Sequence, residues 1–285
     1  MSKNCSYSIN IENLNCSYGD KVILNNININ FEKNKFHSII GPNGSGKTTL
    51  LKNILRVLPV ENKCIYIDSK DVNSFKSKDF AKKLSSVPQN TNIDFDFSVM
   101  DIVLMGRTPY LKRFESEKEN DIKIVKEAME MTNTWDLKDK SINELSGGER
   151  QRVIIARALS QESEIMLLDE PISNLDIQHQ IEILDTIKYL NRNVTIIAVL
   201  HDLNLAAQYS DSLILLKDGK VLSHGAVEEV LTEKNIMYYM VFSFIIIMVI
   251  IILSLDHIIV SFVLHLLASN AVTLNTLFHV EATSK

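Results

Sequence analysis

Hydrophobic and polar positions follow two different patterns along the chain. Residues 8–15 and 22–31 alternate between apolar and polar side chains, which is the pattern of half-buried strands. Shorter, nearly continuous apolar runs follow at 37–40, 165–168 and 194–200. Such runs are typical of parallel strands that helices cover on both faces. Because stretches with helical spacing separate these runs, the pattern predicts an α/β domain.

Two helical regions are predicted from the spacing of apolar and charged residues. The first carries its apolar side chains on one face and ends near Pro59, where a helix is expected to break. Its apolar face consists of Leu50, Leu51, Ile54, Leu55 and Leu58. The second covers about residues 91–150, is rich in charge, and is most clearly helical over 115–131. We interpret it as a smaller helical subdomain inserted between strands.

A glycine-rich segment joins the first short apolar run to the first helix. Its residues are Gly41, Pro42, Asn43, Gly44, Ser45, Gly46, Lys47, Thr48 and Thr49. They match the phosphate-binding loop pattern, in which glycines let backbone N–H groups surround phosphate oxygens at a helix N-terminus. Lys47 is then expected to reach the β- and γ-phosphates, and the Thr48 hydroxyl to bind Mg²⁺.

Polar side chains also follow the two later apolar runs. Asp169 and Glu170 come directly after 165–168, and His201 follows 194–200. A carboxylate at a strand end near bound phosphates can organise Mg²⁺, and a neighbouring carboxylate can polarise the attacking water. We therefore predict that Asp169 binds the metal, that Glu170 is the catalytic residue, and that His201 faces the γ-phosphate.

Composition and charge narrow the class of protein. The chain has 285 residues, 30 Lys and Arg, 35 Asp and Glu, and a net charge of −5. This balance argues against a dedicated nucleic-acid binder, which usually shows a basic excess. The three cysteines, Cys5, Cys16 and Cys64, have no metal-ligand spacing and are expected to be free thiols in a reducing compartment.

The sequence predicts a second helix whose N-terminus can bind an anion, and this helix indicates the family that the chain resembles. Residues 145–152 read LSGGERQR, a Ser-Gly-Gly turn that opens a helix. One subunit does not need two phosphate sites for a single ATP, so we expect the second site to serve a second subunit. Over about residues 6–234 the chain resembles the nucleotide-binding subunit of an ABC transporter, with Glu149 where that family's LSGGQ motif has glutamine.

The resemblance implies a fold and a set of site residues. The implied fold is a P-loop ATPase core with an N-terminal antiparallel β subdomain and an inserted helical subdomain. Tyr18 would stack on adenine, and Gln89 would join Thr48 and Asp169 around Mg²⁺. Ser146, Gly147, Gly148 and Glu149 would contact the ATP of the partner subunit. Asp176, in the segment Ser173-Asn174-Leu175-Asp176, would communicate across the homodimer.

Two further segments, 98–110 and 201–211, resemble the branch that serves iron(III)–siderophore, haem and cobalamin importers. This implies an ATPase at the cytoplasmic face of the membrane that works with polytopic permease subunits and an extracytoplasmic substrate-binding protein, and not with nucleic acid. Two alternatives stay open: the ATPase of a zinc or manganese importer, and a non-transport ABC ATPase acting on DNA or ribosomes.

The last part of the chain departs from this family pattern. Between 235 and 285 the only charged side chains are Asp256, Glu281 and Lys285. Residues 236–253 reach the length of a transmembrane helix, and a weaker apolar stretch covers 258–278. The tail can be a membrane anchor, an apolar appendage packed on a partner, or an out-of-frame extension. The abrupt loss of lysine after residue 234 favours the last of these.

Overall fold

The structure is a computed structural model that describes residues 7–89, 95–173, 175–190 and 193–236. The chain divides into two compact units, Met1–Thr232 and Glu233–Lys285. Of the second unit only 233–236 are described, so the predicted membrane helix at 236–253 lies outside the described residues except for its first position. No helix within the described ranges is long and apolar enough to cross a membrane.

The first layer is a four-stranded sheet in the order β2-β1-β4-β5. Its strands are β1 (Tyr7–Tyr18), β2 (Lys21–Glu32), β4 (Ile65–Ile67) and β5 (Lys70–Asp71). All pairings in it are antiparallel, which confirms the antiparallel β subdomain. The alternating apolar positions predicted at 8–15 and 22–31 lie in β1 and β2, where Ile9, Ile11, Ile27 and Ile29 are buried.

The second layer is a six-stranded sheet in the order β10-β9-β3-β8-β7-β6. Its strands are β3 (Phe36–Ile40), β6 (Leu84–Val87), β7 (Ile165–Asp169), β8 (Thr195–Val199), β9 (Ser212–Lys217) and β10 (Lys220–Gly225). Only β10 pairs antiparallel. Every residue of β3, β7 and β8 is buried, which explains their nearly continuous apolar sequences. The α/β fold class is confirmed.

The helices are α1 (Lys47–Ile54), α2 (Ser77–Lys83), α3 (Val99–Leu104), α4 (Glu119–Met131), α5 (Gly147–Ser160), α6 (Ile177–Leu190), α7 (Leu203–Tyr209) and α8 (Val227–Val230). Leu50, Leu51 and Ile54 of α1 are buried in the core that also contains residues of both sheets, as the apolar face predicted. However, α1 ends at Ile54, earlier than the pattern suggested. The helical subdomain was predicted to end at about residue 150, but α5 continues across that position for ten more residues.

A buried histidine at the start of β3 makes stability depend on pH. His37 is 1% exposed. Its Nε2 lies 3.0 Å from the Glu32 carbonyl oxygen, and its Nδ1 lies 2.6 Å from the Ser212 hydroxyl. A carbonyl oxygen only accepts, so Nε2 carries the proton and the neutral ring is fully hydrogen-bonded. Burial lowers the pKa of His37 below its ordinary value of 6.5, and the nearby His224 lowers it further.

We expect the free energy of unfolding to fall as the pH drops below about 6.5, because the unfolded chain then binds protons that the folded His37 does not. Urea unfolding at about pH 7.5 and about pH 5.5 measures this slope above the range where carboxylates titrate. His37→Gln should flatten the slope. An unchanged slope in His37→Gln would contradict the assignment.

Candidate functional site

The glycine-rich loop lies between β3 and α1, at the carboxyl edge of the six-stranded sheet. Gly41 has φ +154°, and a Cβ atom there would lie 2.1 Å from the Leu216 carbonyl oxygen. Gly46 caps α1 with φ +102°, and a Cβ atom there would lie 2.7 Å from Leu24. Only glycine fits both positions without displacing the backbone or its neighbours. The loop is therefore held open at the N-terminus of α1, where backbone N–H groups attract anions.

Lys47 is the cation of this loop. Its ammonium group donates hydrogen bonds to the carbonyl oxygens of Gly41 (2.8 Å) and Pro42 (3.1 Å), and the residue is only 5% exposed. Burial lowers the pKa of Lys47, while the charges of Glu170 and Asp169 oppose that shift. The loop thus positions a single positive charge beside its own backbone N–H groups, which is the chemistry that phosphate oxygens require.

Thr48 and Asp169 bring two hard oxygen donors together beside the loop. The Thr48 hydroxyl donates to Asp169 Oδ1 at 3.2 Å, across 121 residues of sequence. Burial raises the pKa of Asp169, with the hydrogen bond from Thr48 opposing the shift and the charge of Glu170 adding to it. A hydroxyl and a carboxylate in contact are ligands that Mg²⁺ takes together with phosphate oxygens, so these residues fit that ion.

Glu170 lies at the centre of a hydrogen-bonded group at the strand ends. Its Oε1 is 2.5 Å from His201 Nε2, and its Oε2 accepts from Gln89 Nε2 at 2.7 Å. Its backbone has φ +52°, and its carbonyl oxygen accepts from the hydroxyl of Ser173 at 3.2 Å. Since β8, β7 and β6 are neighbours in the sheet, their carboxyl ends bring these three side chains together.

A cleft of about 780 Å³ opens in front of these groups. Nine of the predicted site residues line it: Asn43, Gly44, Gly46, Lys47, Thr48, Thr49, Gln89, Glu170 and His201. Gly41, Pro42 and Ser45 belong to the same loop, and Asp169 contacts it through Thr48. The sequence interpretation did not assign the other eight lining residues to the site, namely Lys21, Ile23, Ile172, Ser173, Gln180, Val199, Leu200 and Asp202. Lys21 and Ile23 lie in β2 and belong to no recognised motif, so no sequence signal marked them as site residues.

The remaining predicted residues are not in this cleft. Tyr18 pairs with Lys21 at the β1–β2 hairpin and is 50% exposed. Ser146 caps α5, and Gly147, Gly148 and Glu149 form the first turn of that helix. Asp176 precedes α6, where its carboxylate accepts from the backbone N–H of His179 at 3.0 Å. The structure thus separates the predicted residues into one cleft and three surface positions.

The start of α5 is closed by a capping box. The Ser146 hydroxyl oxygen accepts from the Glu149 backbone N–H at 3.3 Å. Glu149 Oε2 in turn accepts from the backbone N–H and from the hydroxyl of Ser146, both at 2.8 Å. These bonds from Ser146 hold the pKa of Glu149 below its ordinary range. Glu149 therefore fixes the serine at the helix N-terminus in this chain.

Comparison with known proteins decides the family. The sequence model of the ABC transporter family matches residues 24–173. The iron(3+)-hydroxamate import ATP-binding protein FhuC of Bacillus subtilis is 40% identical over 227 residues, which are 79% of this chain and 84% of that protein. The chain is an ATP-binding member of the ABC transporter family.

A second relative and a solved structure agree with this family membership. The ferric enterobactin transport ATP-binding protein FepC of Escherichia coli is 39% identical, over 79% of this chain and 84% of that protein. The dimeric structure of the bacterial ABC transporter cassette MJ0796 has a TM-score of 0.68 and 31% identity, covering 77% of this chain and 99% of that one. As a member of this family, the chain binds ATP and couples its hydrolysis to transport.

Proposed function

We propose that this chain is the ATP-hydrolysing subunit of an importer for iron(III)–siderophore complexes or a related metal chelate such as haem or cobalamin. The observation that carries the proposed reaction is the position of Glu170, which lines the cleft and is held between Gln89 and His201. The substrate class is supported by the relatives FhuC and FepC, which are named for iron(3+)-hydroxamate import and ferric enterobactin transport.

In the proposed reaction a water molecule attacks the γ-phosphorus of ATP, and Glu170 orients it and accepts its proton. The bond to the oxygen that bridges the β- and γ-phosphates breaks, which releases ADP and phosphate. Lys47 attracts the β- and γ-phosphate oxygens, and His201 holds the γ-phosphate. A Mg²⁺ ion bound by Thr48, Asp169 and Gln89 would offset phosphate charge. Catalysis then consists of positioning and electrostatic stabilisation.

A second copy of the chain completes the proposed site. Ser146, Gly147, Gly148 and Glu149 lie outside the cleft of their own subunit, at a helix N-terminus suited to an anion. We infer that they contact the ATP bound by the partner, that Asp176 communicates across this homodimer, and that Tyr18 stacks on adenine. The dimeric form of the MJ0796 cassette supports this arrangement.

The proposed assembly also contains proteins with other roles. Polytopic permease subunits would form the translocation path, and an extracytoplasmic substrate-binding protein would deliver the chelate. The chain would bind peripherally at the cytoplasmic face of the membrane, without contact to nucleic acid. A membrane anchor at 236–253 is one of the three interpretations of the tail. The assignment of Glu170 as the catalytic residue does not depend on which of them is correct.

Uptake in the native host tests the substrate class. Cells lacking this gene should lose energy-dependent uptake of ferric hydroxamates or of a related chelate, and the unaltered gene should restore it. A gene carrying Lys47→Gln provides the matched control, because its product keeps the fold but is expected to bind ATP weakly. Loss of zinc or manganese uptake with normal chelate uptake would contradict the proposal and support the alternative importer class.

A further inference from the structure

Arg107 occupies a buried position that the proposed ATP site does not use. The residue is 3% exposed, within a 3₁₀ turn that follows α3. Its Nε donates to Asp121 Oδ1 at 2.9 Å, in the first turn of α4. Its Nη1 donates to the Ser160 carbonyl oxygen at 2.7 Å and to Glu162 Oε2 at 2.8 Å. One guanidinium group therefore joins the segment after α3, the start of α4 and the C-terminal end of α5.

The neighbours of Arg107 hold the same end of α5. A Cβ atom on Gly106 would lie 2.2 Å from the Ser160 hydroxyl and 2.3 Å from the Arg157 carbonyl oxygen, so the backbone reaches α5 only with glycine. The Arg107 guanidinium lies 4.1 Å from the centre of the Tyr110 ring. The Tyr110 hydroxyl donates to the Gln161 carbonyl oxygen at 3.0 Å. We name residues 106–110 the α5 clamp.

The end of α5 is in turn attached to the six-stranded sheet. The Gln161 side-chain amide donates to the carbonyl oxygen of Leu84 at 2.9 Å and also bonds to that of Ala81. Leu84 begins β6, and the chain leaves this strand at Val87, two residues before Gln89. The α5 clamp and the strand that leads to the catalytic group therefore hold the same turn at residues 160–162.

The chemistry of the clamp favours orientation over stability. A buried ion pair adds little net stability compared with apolar residues of the same volume. The planar guanidinium group donates in fixed directions, however, so its hydrogen bonds orient the groups that accept them. Because α5 has 14 residues, it is about 20 Å long, and a tilt of about 3° moves its far end by about 1 Å. Ser146 caps that far end.

We propose that Arg107 is a positioning residue, which acts through α5 to set the place of Ser146 relative to the ATP of the partner subunit. The inference rests on the proposed function, since it needs the dimer in which Ser146 meets that nucleotide. It assigns a role to residues 106–110, which are part of the segment 98–110 that resembles an importer branch. The clamp would act on dimer closure and turnover, and not on the binding of ATP to its own subunit.

The test uses the purified full chain with Arg107→Gln, Arg107→Lys and Glu130→Gln. In Arg107→Gln we expect kcat to fall by about 10- to 100-fold, because a displacement of about 1 Å at a reacting site costs up to that factor. Binding of a fluorescent ATP analogue to the monomer should stay within about twofold of the parent, a change too small to signal a lost contact. Arg107→Lys keeps the charge without the planar fork and should restore part of kcat.

Glu130→Gln is the matched control, since Glu130 is an exposed residue of α4 whose partner is Lys126, and it lies outside the set of Arg107 partners. It should leave kcat and dimer formation near those of the parent. ATP-dependent dimerisation is measured by sedimentation in the Glu170→Gln background, where Arg107→Gln should weaken it. If Arg107→Gln does not fold, the same three measurements are made on Arg107→Lys and compared with the parent.

Two outcomes overturn the inference. The first is an Arg107→Gln chain that dimerises and turns over like the parent. The second is an equal loss of monomer ATP binding and turnover in both Arg107 variants, which indicates a merely structural role. Failure of the Glu170→Gln parent itself to dimerise with ATP would instead contradict the proposed function, so the two failures are distinguishable.

Discussion

Glu170→Gln is expected to lower the rate of ATP hydrolysis by about 10²- to 10⁴-fold, the usual contribution of a general base. The amide has nearly the shape of the carboxylate but cannot accept the proton of the attacking water. Its oxygen can still accept from Gln89 Nε2, and its NH₂ group can face His201. The site should therefore keep its geometry, bind ATP with parent-like affinity and remain in the closed dimer.

Steady-state phosphate release and ATP-dependent sedimentation measure these two effects separately. Glu127→Gln is the matched control, because this exposed glutamate lies on α4 and its partner is Lys123. That variant should hydrolyse ATP at the parent rate. Undiminished turnover in Glu170→Gln would contradict the assignment of Glu170 as the catalytic residue, whereas lost ATP binding would mean that its charge organises the loop itself.

Lys47→Gln is expected to weaken ATP binding by about 10- to 150-fold, since a hydrogen bond to a charged group contributes about 1.5–3 kcal/mol. Lys47 is the cation that bonds to the loop carbonyls of Gly41 and Pro42. Glutamine can still donate to one of these carbonyl oxygens, so the loop keeps a partner, but the positive charge that attracts the phosphates is gone. Turnover should fall at least as far as binding.

Equilibrium binding of a fluorescent ATP analogue measures the change. Lys52→Gln is the control in the same helix, because Lys52 is exposed, whereas Lys47 is buried against the loop carbonyls. Its charge also attracts Asp169, but an exposed charge is screened by solvent, so its loss should weaken ATP binding less than the loss of Lys47 does. Equal weakening in both variants would show that general charge, and not the placement of Lys47, governs binding.

Local features of the site were predictable because their requirements are local. Gly41 and Gly46 are needed where the backbone has positive φ and no space for a side chain, and Lys47 and Thr48 follow in the same turn. The apolar runs before Gly41 and Asp169 predicted buried strands that end at the same edge. Gly41, Gly46, Lys47 and Thr48 are close neighbours along the chain, so their spacing predicts their arrangement.

Contacts between distant segments were not predictable from spacing. Gln89 and Glu170 are separated by 81 residues, and their hydrogen bond exists because β6 lies beside β7. Lys21 and Gln180 line the cleft although neither belongs to a recognisable motif. The polarity of Arg107 gave no sign that it is buried, since its three partners come from α4 and from the end of α5.

The sequence by itself determined the phosphate-binding loop, the carboxylates at the strand ends and the α/β class. The loop and the carboxylates depend on backbone conformation and burial within a few consecutive residues, and the α/β class depends on the alternation of short apolar runs with helical stretches. Only the tertiary structure decided that Glu170 contacts His201 and Gln89, that Tyr18 and Ser146 lie away from the cleft, and that Arg107 joins three segments. The order of strands in a sheet and the packing of helices depend on free energy summed over the whole core, which no single stretch of sequence contains.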